Sequence, residues 1–389
     1  MQRRHLLAIL NTGLTICVMS SLASAQTSRV EQVTNDKVAK AAEVTPETRE
    51  KGDVVVTKFE KWFMPAPPAI RLNFGDFRPG GGFALGAGVE LPMGERGMWT
   101  GAGALSMNHF KEIETAVDVP VLATDRLRLR GIARWEDTPD LRFFGVGEDA
   151  PSSDEVTYGL RTTEAGGEIR AREGRWFSYG AGTGILHAQS SDGAGDAPAA
   201  GSNAMSEWWH STAFASWDTR HSPGYTATGG LYSVTFHDYA DRAGVASFTR
   251  TEIDLRQFVP VLNRNWIIAL QAAGNFTTAA EGQVVPFYML PSLGGRDTLP
   301  GFQDNRFTDH HSLLLRSELR WTPSPVVDMA AFLDHGIVAP TVRAISFDDV
   351  KRGWGIGARL HGPSSTVLRL EMAHSVEGWR YNIAQNVSF

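Results

Sequence analysis

The sequence predicts an all-β fold, a transmembrane antiparallel β-barrel of sixteen strands, and three observations carry that prediction. First, Leu313, Leu315, Leu319 and Trp321 are apolar, while Arg316, Glu318 and Arg320 between them are charged. After Pro323 and Pro325 the alternation resumes, with Val327, Met329, Ala331 and Leu333 on one face and Asp328, Phe332 and Asp334 on the other. Period two means strands, and an apolar face beside a charged face suits a wall with lipid outside and a polar lumen inside. Second, beyond the N-terminus no apolar run approaches the ~18 residues that a spanning helix needs, although 42% of the residues are hydrophobic. Third, the chain has 40 Gly, 11 Trp and 20 Phe in 389 residues. Glycine exceeds its usual ~7%, and the composition fits an exported barrel.

Residues 1–25 read as a secretory signal: Arg3 and Arg4 start it, Leu6 to Met19 form an interrupted apolar core, and Ala23-Ser24-Ala25 is an A-x-A cleavage site. The sole cysteine, Cys17, lies inside it, so the mature chain has no disulfide framework, thiol nucleophile or cysteine metal site. Residues 26–68 form a polar leader ending at Pro65, Pro67 and Pro68, with Phe59, Trp62 and Phe63 spaced for a short interfacial helix. This leader falls below the ~50 residues of a small domain. The barrel takes residues 69–389.

Strand candidates start near Ile70, Phe83, Met98, Glu112 and Arg126, then run over 155–163, 164–172, 175–188, 206–218, 227–238, 247–259 and 264–278. The two segments described first follow, then three more near 350–360, 366–374 and 380–389. That is sixteen or seventeen, and the even number expected of single-chain bacterial barrels selects sixteen. Short turns are expected at Pro323–Pro325 and Gly362–Ser364, long loops at 189–205 and 281–308. The stretch from Gly80 to Gly88 should make a poor early strand, because glycine is costly in strand interiors. Arg126, Arg128, Arg130 and Arg134 alternate with Leu127, Leu129, Ala133 and Trp135, which reads as a basic stripe facing the lumen.

Several segments together are similar to a known family. Leu293-Gly294-Gly295-Arg296-Asp297-Thr298-Leu299-Pro300-Gly301-Phe302 precedes Arg306-Phe307-x-Asp309, then S-E-L-R around Glu318 and F-L-D-H-G around Asp334. Arg142-Phe143-Phe144-Gly145-Val146-Gly147, Trp217-Asp218-Thr219-Arg220 with Pro223 and Gly229-Gly230, and Val285-Pro286-Phe287 come earlier in matching order. This resembles the BamA/TamA-type outer-membrane assembly barrels, the bacterial surface antigen family, in a branch without periplasmic POTRA domains. The resemblance implies that the loop over 281–308 folds into the lumen with Gly301-Phe302 at its tip, and that Glu318 and Asp334 receive it. Pro300 stands where the family carries arginine. Two carboxylates in one cavity need a cation, and Arg296 or Arg306, with Arg316 close behind, is expected to supply it. The end of the chain, with Tyr381, Ile383, Val387 and terminal Phe389 on one face, looks like the barrel-recognition signal read by the insertion machinery through strand addition.

Enzymatic chemistry finds little support. Adjacent His310 and His311 point to opposite faces of a strand, no H-E-x-x-H or comparable ligand spacing occurs, and no G-x-S-x-G occurs. No metal or cofactor is expected, and a barrel hydrolase is the remote alternative. A net charge of -6 argues against nucleic acid as a partner. The resemblance implies a multi-pass protein of the Gram-negative outer membrane that helps insert or translocate polypeptide or lipid, with a separate periplasmic partner or client polypeptide. The alternative is a passive diffusion pore with a charged lumen. A loop folded inward favours the first, a loop extended outward the second.

Overall fold

The structure, a computed structural model, describes residues 69–75, 78, 80–121, 124–193, 204–262, 265–362 and 366–384. All lie within one compact unit, Gly52–Phe389. The signal peptide, the leader, Val387 and Phe389 are outside the described residues.

Period-two alternation becomes strand wherever the sequence carries it. In order these are β1 (Ala69–Gly75), β2 (Ala84–Met93), β3 (Gly97–Ser106), β4 (Lys111–Val121), β5 (Thr124–Phe143) and β6 (Val156–Glu173). Then come β7 (Phe177–Asp192), β8 (Met205–Asp218), β9 (Gly229–Asp241), β10 (Phe248–Val261) and β11 (Trp266–Ala279). A two-stranded pair, β12 (Ser292–Leu293) and β13 (Phe307–Thr308), belongs to the long loop. The wall resumes with β14 (His311–Ser324), β15 (Val327–Ala339), β16 (Lys351–His361), β17 (Thr366–Ser375) and β18 (Gly378–Ala384). Leaving out β12 and β13, the strands form one 16-stranded antiparallel sheet in chain order. Contacts across it show the curl of a barrel: Arg142 at the end of β5 reaches Gln303 at 2.9 Å, and Asn382 of β18 reaches the same loop at Pro300.

The sixteen wall strands expected are found, and one division is corrected. Residues 155–163 and 164–172 are a single strand, β6, paired without interruption to β7 from Tyr158 to Glu173. The ladder runs straight through the expected break, with Thr163 opposite His187 and Glu164 opposite Leu186. The glycine-rich start also does better than expected: β2 is paired to β3 along its whole length, from Ala84 to Met93.

Faces follow the pattern. Leu319, Trp321, Met329, Leu333, Ile356 and Leu370 are exposed on the lipid side, whereas Arg316, Glu318, Arg320, Asp328, Asp334, Arg359, Arg369 and Glu371 are at most 5% exposed. The long connections over 144–155, 280–310 and 340–350 leave the sheet at one end, which we call the loop end. The other end carries short turns such as 94–96, 174–176 and 325–326, and one longer segment, 219–228.

Candidate functional site

The loop between β11 and β14 is shaped by two glycines before it touches anything. Gly294 and Gly295 sit at φ 125° and 84°, a region that residues with a Cβ rarely enter. A Cβ there would also lie 2.2 Å from the Gln303 carbonyl or 2.1 Å from Asp304. The β12–β13 pair closes the base, and Thr298 Oγ1 accepts from the Gly294 N–H at 2.8 Å. Leu293, Leu299, Phe302 and Phe307 then form one buried cluster with Leu314 of β14 and Val338 of β15. Gly336 makes the room, since a Cβ on it would meet Leu299 at 2.5 Å. The loop is folded inward.

Its tip lies on β17 and β18. Ser375 donates to the Gly301 carbonyl at 2.6 Å, Asn382 to the Pro300 carbonyl at 3.3 Å, and Arg316 to the Asp297 carbonyl at 3.2 Å. Arg369 adds an ion pair to the Asp297 carboxylate at 3.6 Å. Burial pushes that carboxyl up, but the Arg296 hydrogen bond and the charges of Arg296, Arg369 and Arg316 more than offset it, so it titrates below the usual aspartate range.

Glu318 and Asp334 are buried on the inner wall, and their ion pairs among the described residues are with wall arginines, not with Arg296 or Arg306. Glu318 pairs with Arg320 of its own strand and with Arg359 of β16, whose Nη1 donates at 2.6 Å. Asp334 takes Arg316 at 3.1 Å. Glu371 of β17 lies 3.5 Å from Arg369 and 3.8 Å from Arg359. Arg296 instead meets Asp297 at 3.2 Å and the Ile383 carbonyl at 3.5 Å. Arg306 binds Glu377 and, at 2.8 Å, the Ala150 carbonyl, with its guanidinium over the rings of Phe144 and Phe307. It fastens the returning limb. The physical reason is reach: on the inner face Arg316 stands one strand from Asp334, Arg320 two residues from Glu318, and Arg359 reaches Glu318 across β15.

The polarity at the tip is thereby inverted. The wall presents donors, the guanidiniums of Arg316 and Arg369 with Ser375 and Asn382, and the loop presents acceptors, namely one carboxylate and three carbonyls. Arg359, Arg369 and Glu371 were missed in sequence; β17 carries the same signal, Arg369 and Glu371 alternating with Leu368, Leu370 and Met372, whereas on β16 Arg359 shares its face with Gly353, Gly355 and Gly357 and gives no such pattern.

A second inward segment was read only as a turn. In 219–228, Arg320 donates to the Thr226 carbonyl at 3.1 Å and Thr366 N–H to the Gly224 carbonyl at 2.9 Å. Tyr225 stacks on His361 with centroids 3.8 Å apart and donates to Asp328 at 3.2 Å. The same β14–β17 network is therefore covered by the loop from one end and by 219–228 from the other.

The arginine stripe of β5 faces the lumen, but β4 answers it. Arg128 pairs with Asp118, Arg134 with Glu114, and Arg130 lies 3.7 Å from Glu114. At the C-terminus, Tyr381 and Ile383 are exposed on the lipid side.

The comparisons with known proteins agree with this architecture. No curated protein matches the chain. Among solved structures it is similar to BamA from Haemophilus ducreyi lacking POTRA domains 1-3, at 16% identity and TM-score 0.63, covering 82% of this chain and 68% of that one. It is also similar to CdiB from Escherichia coli, at 14% identity and TM-score 0.57, covering 83% and 64%, and to CdiB from Acinetobacter baumannii, at 13% and 0.54, covering 82% and 60%. The chain thus spans less than two thirds of the length of either CdiB chain. At these identities the likeness shows the fold. The model of the Omp85 superfamily domain matches residues 119–389, well over half of the sequence, and the chain belongs to the Omp85 superfamily.

Proposed function

We propose that this barrel assists insertion or translocation of polypeptide or lipid at the Gram-negative outer membrane, and does not serve as an open diffusion pore or as an enzyme. One observation carries the reading: the loop is docked inside the lumen against β14–β18, with 219–228 packed under the same wall. A channel that conducts must leave its lumen clear, whereas here both ends send chain into it. The neutralised arginine stripe removes the feature that would have favoured anion selectivity. In this reading the short turns and the chain's N-terminal side face the periplasm, and a separate periplasmic partner hands over clients. Barrel-insertion machinery reads the C-terminal strand, with Tyr381, Ile383, Val387 and Phe389, during biogenesis.

The test is reconstitution. Wild-type barrel in planar bilayers should show no sustained conductance, and deleting residues 295–304 should open it. In vesicles, the wild type should speed the appearance of the heat-modifiable folded form of a small client barrel. A stable, ion-selective wild-type conductance without any acceleration of client folding would overturn the proposal.

A further inference from the structure

The β6–β9 side of the lumen is built in the opposite way from the side that holds the loop. On β7 the inward positions are Ser178, Gly180, Gly182 and Gly184, so side chains of β6 and β8 meet across that strand. A Cβ at Gly180 would lie 2.6 Å from the Phe214 ring. The result is a cavity of about 660 Å³ near the turn end, within the ~300–1,000 Å³ range of small-ligand clefts.

Its lining is cationic and rich in hydroxyls. Arg170, Arg172, Arg175 and Arg220 face it, together with Ser178, Thr212, Ser216, Ser233 and Thr235. Two guanidiniums are held in place by neighbouring acids: Arg170 by Glu168 at 2.9 Å while stacked over Phe214, and Arg220 by Asp218 through two hydrogen bonds of 2.9 and 3.0 Å. Arg172 is exposed and has no acidic partner among the described residues, and Arg175 lies over Trp176 at 4.9 Å without one. Four guanidiniums thus share two carboxylates, in a chain whose net charge is -6. This contrasts with β5, where Arg128, Arg130 and Arg134 all have acids opposite.

Two guanidiniums held by acids beside two without an acidic partner among the described residues, a ring of hydroxyls and an aromatic shelf are the equipment for a tetrahedral oxyanion, since the planar fork donates two parallel hydrogen bonds to phosphate. Folded polypeptide is too large for such a cleft. We propose that this cavity binds a phosphate group, presented by the headgroup of a lipid, with Arg172 and Arg175 as the principal contacts. The inference deepens the lipid branch of the proposed function and rests on that reading only for its physiological meaning; binding itself is measured apart from any insertion assay.

Purified barrel in non-ionic detergent is titrated calorimetrically with dihexanoyl phosphatidic acid, with dihexanoylglycerol and with inorganic phosphate. The phosphatidic acid should bind saturably. The double variant Arg172→Gln, Arg175→Gln should weaken it roughly tenfold, the loss expected when charge-assisted contacts go. Arg242→Gln, at the loop end, should leave it unchanged. Heat-modifiable migration checks that each variant is folded. Competition by inorganic phosphate means that the phosphate alone is recognised. Binding of the lipid without such competition means that the whole headgroup is needed, and either result supports the site. Absence of saturable binding, equal binding of the phosphate-free glyceride, or an affinity indifferent to the double variant overturns it. Loss of client insertion with phosphate-lipid binding intact would remove the proposed function and leave this site standing.

Discussion

The β14–β17 wall and the β2–β4 wall use the same backbone ladder yet differ in what their inner faces hold. On β14–β17 the inner positions carry Arg316, Glu318, Arg320, Asp334, Arg359, Arg369 and Glu371, all buried and interlocked, with the loop packed on top. On β2 the inner positions are Ala84, Gly86, Gly88 and Glu90, and the one ion pair there, Arg71 to Glu90 at 2.7 Å, is partly exposed. Strand pairing is continuous from β2 to β3, and from β14 to β15 apart from a bulge between Trp321 and Ser324. The difference therefore lives in tertiary contacts: buried ion pairs and a docked loop add to the ladder on β14–β17, whereas on β2–β4 only partly exposed ion pairs, such as Arg128 to Asp118, do so. The side of the barrel that holds the loop should therefore resist opening more than the β2–β4 side.

The largest expected effect is on the side that holds the loop. Glu318→Ala leaves Arg320 and Arg359 buried without their shared carboxylate, and breaking a buried pair from one side costs about 3–5 kcal/mol. Glu90→Ala on the other wall should cost under ~1 kcal/mol, as partly exposed pairs do. Urea unfolding followed by heat-modifiable migration compares the two, and equal losses would dissolve the distinction between the walls. A double-mutant cycle sharpens it: Glu318 should couple to Arg359 but not to Arg296 or Arg306.

A step smaller is the seat of the loop. Gly336→Ala drives a methyl toward Leu299 and Leu293, 2.5 and 3.0 Å away, and overpacking of this kind costs about 1–3 kcal/mol. Limited proteolysis within 296–304 should speed up while the strands stay protected. Unchanged cleavage would mean that the loop adapts around the methyl. Amide exchange extends the comparison without mutation: β2 and β3 amides should exchange before those of β14 and β15, because local opening is easiest where few buried contacts resist it.

Much of this was legible in the sequence because a lipid-facing strand declares itself. Period two, apolar outside and charged inside, located the wall strands, and the Gly-Gly turn with the S-E-L-R and F-L-D-H-G strands located the docked loop and its acids. Pairing partners were not legible. Whether Glu318 meets Arg306 or Arg359 depends on which strands lie side by side and how they are staggered, and Arg359 follows Glu318 by 41 positions. The inward fold of 219–228 was hidden for a related reason: its contacts are made mostly by backbone carbonyls, which every residue has. The division of β6 at 163/164 had no counterpart in the structure because a strand of 18 residues is longer than most, and nothing in its alternation marks whether one strand or two produces it.

The smallest effect is a pH dependence of loop docking, and its sign is fixed. The Asp297 carboxyl lies below its ordinary value of 3.8, and although its neighbour Arg296 moves with the loop, Arg369 and Arg316 stand on the wall, so an undocked loop would lose their share of the lowering. The docked state thus binds fewer protons. Its advantage is fully present above pH ~4 and is lost as pH falls below that through the depressed value. The side chain is 56% exposed, so solvent screening keeps the contribution under ~1 kcal/mol. A nitroxide placed on Thr298 should report a docked loop at pH 6 and a larger mobile fraction near pH 3. Other carboxylates titrate over the same range, so the informative quantity is the difference from Asp297→Asn, which keeps the carbonyl contact to Arg316 and lacks the charge. That variant should start slightly more mobile at pH 6 and change less on acidification. If it tracks the wild type through the whole range, the charge of Asp297 contributes nothing to docking. The loop would then be held by its carbonyls and its apolar cluster alone.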